Sequence, residues 1–270
     1  MKKKRGFYLY CIREKGCTGF ASEGIDGESD TFMIHHDNLE AVVSGVSIEE
    51  FKSEEIERKS KTDLNWIKTK AQTHETVIEK AMVGDGKISA VIPMSFGNIF
   101  RSKKKIQQVL EKNYSNFRNI LEELRGKQEW SLKVYLKDKN KFEQIVKEKN
   151  KNIKEKEQEI GSVDDGMAFF MEEELKELIS KEMKRELNRF KNDLFEKLKQ
   201  QSISANKEKI LEKEVTGKND PMILNTSYLI SEENIDNFKK EAMRLNQKIT
   251  LKGFYLEYSG PWPPYSFSNY

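Results

Sequence analysis

A chain of 270 residues is long enough for two domains of ordinary size and too short for three. Charged residues make up 34% of it and hydrophobic residues only 36%, so much of the charge must lie on extended solvated faces. The 48 basic and 45 acidic residues nearly balance, which argues against a dedicated nucleic-acid-binding protein, because such proteins usually carry a large basic excess.

The cysteines and the N-terminus bear on the cellular compartment. Cys11 and Cys17 do not form a CxxC pair, and we expect free thiols in a reducing environment, although a disulfide across a hairpin stays geometrically open. The start of the chain, residues 1–5, is basic, but the apolar stretch after it is about six residues long and is broken by Arg13 and Glu14. The sequence therefore predicts a soluble, cytoplasmic protein with neither a signal peptide nor a membrane span.

The first region of the chain combines strand-forming and helix-forming patterns. Asp63 is a suitable N-cap for a helix that ends before Gly84, and a second helix is predicted from Ser102 to the stop signal at Gly126. Together with the strands these helices predict an N-terminal α+β domain, residues 1–126. The predicted strands are Phe7–Ile12, Phe32–His35, Leu39–Val46 and Ile88–Ile92.

The second region has the order βαββαβ. A strand is predicted at 130–136, a long helical region follows, and a later helix carries Ile235 and Leu245 on one face. This order is that of ferredoxin-like domains, in which two helices cover one face of a four-stranded sheet. We therefore predict a C-terminal ferredoxin-like domain, residues 127–270. Its other predicted strands are 210–216, 222–230 and 249–258.

The first helical region of that domain is oversized and predicts a helical arm at about residues 140–200. A Lys/Glu-rich helix ends in the break at 161–166, and a second helix from about Met167 to Gln200 carries a long Leu/Met/Phe stripe. About 33 residues at 1.5 Å each span roughly 50 Å, which exceeds the face of a small sheet. We predict a helical-hairpin insertion whose apolar seam is covered within this chain, with a partner protein as the alternative cover.

The C-terminal tail, residues 260–270, combines three prolines with aromatic rings. Proline fixes φ and lacks an amide donor, so the tail cannot join a helix or a central strand, and we expect an extended strap. Three rings on a stiff strap imply a surface that receives them. We expect this surface on the chain itself, in a groove between the two domains, with a partner protein as the alternative. The candidate docking residues are Trp262, Pro263, Pro264, Tyr265 and Phe267.

The histidines do not form a recognisable catalytic or metal motif. His74-Glu75 resembles the start of a zinc-protease motif, but position 78, where the second histidine is needed, is Ile. Because His74 lies on the apolar stripe of its helix, we interpret it as a core residue. His35 and His36 are neighbours on a strand and face opposite sides, so they are poor joint ligands.

The glycine-rich segments also lack the arrangement of a phosphate loop. The segment 84–87 joins a helix to a strand, the reverse of the required order, and is predicted to be a turn. Gly97 precedes a helix that starts with the lysine run 103–105, so anion binding there stays an alternative to a solvated face. From the residues we predict no catalytic residues, no metal ligands and no cofactor.

Six segments in order resemble the gas vesicle protein F/L family and leave only about residues 138–218 without a landmark. The chain departs from the family pattern at Cys11, where Gly is more usual, and at Asn98, where Thr is. The segments are Gly6–Ile12, Ala71 with His74-Glu75, Val91–Phe100, Trp130 with Lys133-Val134, Ser227–Ile230 and the tail. The resemblance does not separate the F branch from the L branch.

The resemblance implies a function in gas vesicle assembly. Proteins of this family are assembly components of cytoplasmic, gas-filled protein shells, and they associate with the small hydrophobic shell protein and with other accessory proteins. We therefore expect a non-enzymatic assembly protein, either a minor structural component or a chaperone-like factor. The alternatives are a ferredoxin-like nucleic-acid-binding module, although strands 130–136 and 222–230 lack its aromatic and basic pattern, and an enzyme without a recognisable motif.

Overall fold

The computed structural model describes residues 4–17, 19–84 and 87–268. It has a mixed α+β fold, as predicted, with long helices and two main sheets. The chain divides into two compact units, which we describe separately. Unit 1 consists of Met1–Glu129 and Pro261–Tyr270, and unit 2 of Trp130–Gly260. The last ten residues thus belong to unit 1, whereas the sequence analysis grouped them with the second domain.

Unit 1 is built on a sheet with the order β2-β3-β1-β6, and β7 also pairs with β1, at Phe7 and Tyr8. These pairs are antiparallel, and β4 and β5 form a separate small hairpin. The strands are β1 Arg5–Glu14, β2 Phe32–His36, β3 Leu39–Ser47, β4 Val83–Gly84, β5 Lys87–Ile88, β6 Val91–Pro93 and β7 Ile99–Phe100. The single strand predicted at 88–92 is therefore two short strands. Asp85 and Gly86 of the predicted turn lie outside the described residues, as do Met1–Lys3 of the basic start.

In the described part of unit 1, four helices accompany this sheet: α1 Ser53–Thr62, α2 Leu64–Met82, α3 Lys103–Lys112 and α4 Tyr114–Leu124. Asp63 caps α2 as predicted, since its carboxylate accepts the amide of Trp66. The single helix predicted from Ser102 to Gly126 is interrupted at Asn113. Helix α1 is not predicted from the sequence, because every side chain of this helix is exposed or half-buried and its apolar pattern is weak.

One part of the core of unit 1 lies between the sheet and α2. Tyr8, Tyr10 and Cys11 of β1 are fully buried and belong to the same cluster as Val77 and Ile78 of α2. Burial raises the pKa of the Cys11 thiol to about 12, so this cysteine is an unreactive core residue.

Unit 2 contains a four-stranded sheet with the order β11-β8-β10-β9. The strands are β8 Lys127–Leu136, β9 Ser204–Lys207, β10 Met222–Ser231 and β11 Phe254–Trp262. The helices are α5 Lys139–Lys149, α6 Lys151–Ile160, α7 Asp165–Lys199, α8 Lys213–Thr216 and α9 Ile235–Thr250.

Two strand predictions in this unit are wrong. The strand predicted at 210–216 is instead an irregular segment followed by α8, and its apolar residues Ile210 and Val215 are 43% and 70% exposed. The true edge strand β9 pairs with β10 antiparallel and reads Ser-Ala-Asn-Lys, which is too polar to be recognised. The strand predicted from Ile249 starts later because α9 continues to Thr250, where Ile249 packs in the core.

The helical arm runs from α5 to α7 and changes character along its length. Near the sheet, Ile179, Leu194 and Leu198 of α7 are buried in the main core of the unit. At the far end, Phe169 and Phe170 are 63% and 69% exposed. The apolar seam of α7 is therefore covered within this chain only in its proximal part. Across the part of the chain that the structure describes, none of the helices combines the length and the apolar character needed to cross a membrane.

Candidate functional site

The C-terminal tail is the candidate site, and all contacts described here lie within unit 1. The strand β11 ends at Trp262, and the chain then turns through Tyr265 and Phe267, whose amides donate to the carbonyls of Pro263 and Pro264. Pro263 and Pro264 are buried, Trp262 and Phe267 are half-buried, and Tyr265 is 37% exposed. All five predicted docking residues thus lie on one short segment. β11 is an edge strand of its sheet, and an edge strand tolerates Pro261 because its outer side does not need an amide donor for a neighbouring strand.

The apolar part of the tail lies against α2, β6 and α4. Trp262 and Pro264 line a narrow crevice together with Met82, Val91 and Leu124. Since these receiving side chains are themselves nearly fully buried, the tail closes over part of the core rather than lying on a polar surface.

His74 connects this core to the tail through hydrogen bonds. Its Nε2 lies 3.1 Å from the carbonyl oxygen of Met94 and 3.1 Å from the Tyr265 hydroxyl, and its Nδ1 lies 3.0 Å from the Tyr8 hydroxyl. Because a carbonyl oxygen can only accept, we assign the proton to Nε2 and an acceptor role to Nδ1. Tyr8 then donates to Nδ1, while its oxygen accepts the amide of Gly97 at 2.8 Å.

The network continues from the tail to Glu75. The Tyr265 hydroxyl accepts from Nε2 of His74 and donates to Oε2 of Glu75 at 3.1 Å. A second polar anchor follows directly, where Ser266 donates from its amide and its hydroxyl to the Glu129 carboxylate, at 3.0 and 2.8 Å. Glu129 is only 5% exposed, so these bonds satisfy a buried carboxylate.

Burial sets the protonation states of this network. It lowers the pKa of His74 to about 4, against the opposing effect of the hydrogen bond to Met94. Burial also raises the pKa of Glu75, which the hydrogen bond from Tyr265 opposes, and it raises the pKa of Tyr8 and of Tyr265 above their ordinary values. His74 is therefore a neutral imidazole at physiological pH, with both ring nitrogens engaged.

This arrangement joins the tail to the core of unit 1 by hydrogen bonds. His74 is 3% exposed, which agrees with its interpretation as a core residue, and its nitrogens face protein groups rather than an open cleft. The sequence located the histidine and the tail separately. It could not connect Tyr265 with His74, because the two are 191 positions apart and each pattern is local.

The other candidate residues stay apart from the tail. Nδ1 of His35 lies 3.4 Å from Oε2 of Glu40, and Nε2 of His36 lies 3.9 Å from Oδ2 of Asp37. Among the described residues, we find no group of three or more His, Cys, Asp or Glu side chains that could hold a metal ion. The Gly97 amide, considered for anion binding, already donates to Tyr8.

Comparison with known proteins places the whole chain in one family. Residues 6–269 match the family model described as gas vesicle synthesis protein GvpL/GvpF. Among curated relatives, gas vesicle protein L1 of Halobacterium salinarum is 24% identical over 97% of this chain and 90% of its own length. Gas vesicle protein F1 of the same organism is 23% identical over 96% of this chain and 91% of its own length.

Solved structures share the fold. The crystal structure of GvpF from Anabaena has a TM-score of 0.74 at 19% identity and covers 98% of both chains. That of GvpF from Microcystis aeruginosa has a TM-score of 0.69 at 18% identity and covers 98% of this chain and 99% of its own. On the match that spans residues 6–269, the chain belongs to the GvpL/GvpF family of gas vesicle synthesis proteins.

Proposed function

We propose that this chain is a non-enzymatic assembly protein of gas vesicles, either a minor structural component or a chaperone-like factor, and that it associates with the gas vesicle. The family match over nearly the whole chain carries this proposal. The two Halobacterium relatives named above are gas vesicle proteins, and the match covers at least 90% of the length of each.

The proposed partners are the small hydrophobic shell protein and other gas vesicle accessory proteins. A shell subunit with a water-repelling face aggregates in water before it is incorporated, because exposed apolar surface is unfavourable. A highly charged protein that covers this face, or presents it to the growing shell, prevents this aggregation. The 34% charged composition of this chain suits such a role.

We propose two roles for the structural features in this function. The tail residues Trp262, Pro263, Pro264, Tyr265 and Phe267 act mainly as an internal fastening. This is supported by Trp262 and Pro264, which line a crevice with core residues, and by Tyr265, which hydrogen-bonds to His74. The ferredoxin-like domain predicted at residues 127–270, most of which is unit 2, acts as a scaffold for the helical arm. The strand order β11-β8-β10-β9 supports this, because it places the first and third strands of a βαββαβ unit side by side at the centre.

Copurification with the shell protein tests the function. We expect a tagged copy of this chain to retain the coexpressed shell protein and to raise its soluble fraction. Loss of the gene should abolish or distort vesicles in cells. If the shell protein is neither retained nor kept soluble, and vesicles form normally without the gene, the proposal is wrong.

A salt titration of RNA binding separates the nucleic-acid alternative. Phosphate contacts make affinity fall steeply with salt, so tight, salt-sensitive binding of single-stranded RNA would support that alternative instead. We expect at most weak, nonspecific binding from a chain with nearly balanced charge.

A further inference from the structure

The far end of the helical arm carries an unusual combination of apolar and acidic side chains. We define the arm tip as residues 157–175, which contain seven acidic residues and neither lysine nor arginine. Within it Met167, Phe169 and Phe170 are 54%, 63% and 69% exposed, and the two phenyl rings contact each other edge to face. Large apolar side chains grouped on an exposed helix indicate a contact surface.

The proximal part of the same arm offers a surface of the opposite charge. We define the arm groove as a groove of about 560 Å³ between α5 and α7. Its apolar lining includes Phe142, Ile179, Met183 and Leu187, and its rim has four lysines and one glutamate. These rim residues are Lys139, Lys147, Lys176, Lys184 and Glu143.

The two surfaces share one face of α7. Phe169 and Leu187 are about five helical turns apart at 3.6 residues per turn, so their side chains point in the same direction. Phe169 and Met183 are about 21 Å apart along the helix at 1.5 Å per residue. The arm tip therefore continues the apolar stripe of the arm groove along α7. Its negative charge is complementary to the mainly positive charge of the groove rim.

We propose that the arm groove receives the arm tip of a second copy of this chain, in an antiparallel pairing of the two α7 helices. An acidic, aromatic segment fits an apolar groove with a basic rim, because the rings fill the groove while the carboxylates face the lysines. The chain itself supplies such a segment. This inference stands independently of the proposed function.

The antiparallel arrangement makes the contact reciprocal. A register that places Phe169 of one copy against Met183 of the second also brings Glu172 within about one helical turn of Lys184 of the second copy. By symmetry the same pair forms on the other side, so the tip of each copy occupies the groove of the other. The result is a closed dimer with twofold symmetry rather than an open filament.

Sedimentation velocity of the full chain, measured over a wide range of concentrations, tests the pairing. The wild-type chain should form a reversible dimer whose dissociation constant rises with salt, since the contact includes exposed charges. Phe169→Ser, Glu172→Lys and Lys184→Glu should each raise that constant by about tenfold or more. The double variant Glu172→Lys/Lys184→Glu should recover most of the lost affinity, because the charges are exchanged and remain complementary.

Two matched variants control for general effects. Leu251→Ser also removes an exposed apolar side chain, 71% exposed, outside the arm, and Lys104→Glu reverses an exposed lysine of α3. Both should dimerise like the parent, and circular dichroism should show that every variant is folded. The inference is overturned if the wild-type chain is a monomer at all concentrations, if the controls weaken the dimer as much, or if the exchanged pair fails to restore it.

Discussion

At the scale of single residues, His74 is a buried polar group that joins several parts of the core of unit 1. The imidazole is surrounded by aromatic rings, with Tyr10 stacked on it at 5.9 Å between centroids, and is also bonded to Tyr8, Met94 and Tyr265. In a neutral imidazole with the proton on Nε2, the unprotonated Nδ1 accepts the hydrogen bond from the Tyr8 hydroxyl. In an imidazolium Nδ1 also carries a proton, so Tyr8 loses the acceptor for its own hydroxyl proton. The network therefore requires an uncharged ring.

This requirement predicts a loss of stability in mild acid. The folded state keeps His74 neutral down to a pKa of about 4, while the unfolded chain protonates it near 6.5. Between these values the unfolded state binds more protons, so the free energy of unfolding falls as pH falls, by about 3 kcal/mol in total from this group. Urea denaturation at a series of pH values measures the loss.

Two histidine variants isolate this contribution. His74→Gln should be less stable than the parent at neutral pH but should lose less stability between pH 6.5 and 4. His35→Gln, at a histidine outside this network whose side chain is 51% exposed, controls for the general effect of replacing a histidine. Glu75 contributes to the pH dependence with the opposite sign: because burial raises its pKa, its contribution to the free energy of unfolding increases as pH falls. Glu75 is present in both variants, so this contribution does not distinguish them. Equal slopes in all three proteins would contradict the buried, neutral assignment.

The buried pair Arg13–Glu40 gives a second prediction. Arg13 is 1% exposed, and its guanidinium donates to Glu40 at 2.7 Å and to the carbonyl of Ala81 at 2.8 Å. Glu40→Gln should destabilise the protein by about 3–5 kcal/mol, because it leaves a buried charge without its counter-ion. The double variant Arg13→Met/Glu40→Leu should be more stable than Glu40→Gln. Urea denaturation measures both.

An exposed ion pair provides the control for this prediction. Glu14 and Arg125 are 2.7 Å apart, but their side chains are 41% and 55% exposed. Glu14→Gln should therefore cost less than about 1 kcal/mol. A cost for Glu40→Gln as small as this would mean that the buried pair contributes little to the fold.

The sequence could predict some of these residues and not others. His74 was placed in the core because the helical spacing of its neighbours is a local signal. Arg13 was taken only as a charge that breaks an apolar stretch, since its partner Glu40 is 27 positions away and a paired arginine looks the same in sequence as an exposed one.

At the scale of elements, the helical arm has a proximal part in the core and a distal part outside it. We predict that residues 157–173 can be replaced by a short Gly/Ser bridge with little loss of stability, because every side chain in this stretch is exposed or half-buried. Lys156 and Glu174 form an ion pair across the hairpin, so the new ends already lie close together. The melting temperature of the trimmed protein measures the effect.

The limits of the trimmed segment matter for this prediction. The amino-acid sequence alone suggests that Ile153 is also expendable, but its side chain is fully buried in the core of unit 2. Asn150 donates to Glu182 at 2.9 Å in the same region. A deletion that starts at Lys149 should therefore unfold the unit. If both deletions melt alike, this division of the arm is wrong.

The proximal part of α7 should tolerate charge poorly. Leu194 is 3% exposed, so Leu194→Asp buries an unpaired carboxylate and should cost several kcal/mol. Leu187→Asp should cost less, because Leu187 is half-buried in the arm groove and its carboxylate can reach water. Thermal unfolding of the two variants should show this order, and the reverse order would contradict the assignment of the core.

Element predictions succeeded where apolar spacing is regular and failed where it is weak. The stripe of α7 and the alternation of β8 are strong local signals, and these two elements lie close to their predicted positions. The polar edge strand β9 is held by backbone hydrogen bonds to β10, which any residue type can make. Helix α1 has no buried residues, so its sequence carries little of the apolar spacing that predicts a helix.

At the scale of the whole molecule, the chain completes unit 1 with residues from its far end. The sequence predicts a receiving surface for the proline-rich tail, because its aromatic rings are spaced along a stiff segment. It could not identify that surface, which is assembled from α2, β6 and α4 and from Glu129, all distant in sequence. Such contacts depend on tertiary structure and leave no local pattern.

We predict that truncation after Gly260 lowers the melting temperature of the full chain by several degrees. Full burial of a large apolar side chain contributes about 1.5–3 kcal/mol, and the half-buried Trp262 contributes a part of that. The truncation also leaves the buried Glu129 carboxylate without the two hydrogen bonds from Ser266. Differential scanning calorimetry of the two proteins measures the difference.

Two point variants separate the apolar and polar parts of this effect. Tyr265→Phe keeps the ring and removes the hydroxyl bonds to His74 and Glu75, so it should cost about 1 kcal/mol. Trp262→Ala should cost more, because it opens the crevice beside Met82 and Leu124. If truncation leaves the melting temperature unchanged while retention of the shell protein is lost, the tail belongs to the partner interface and not to the fold.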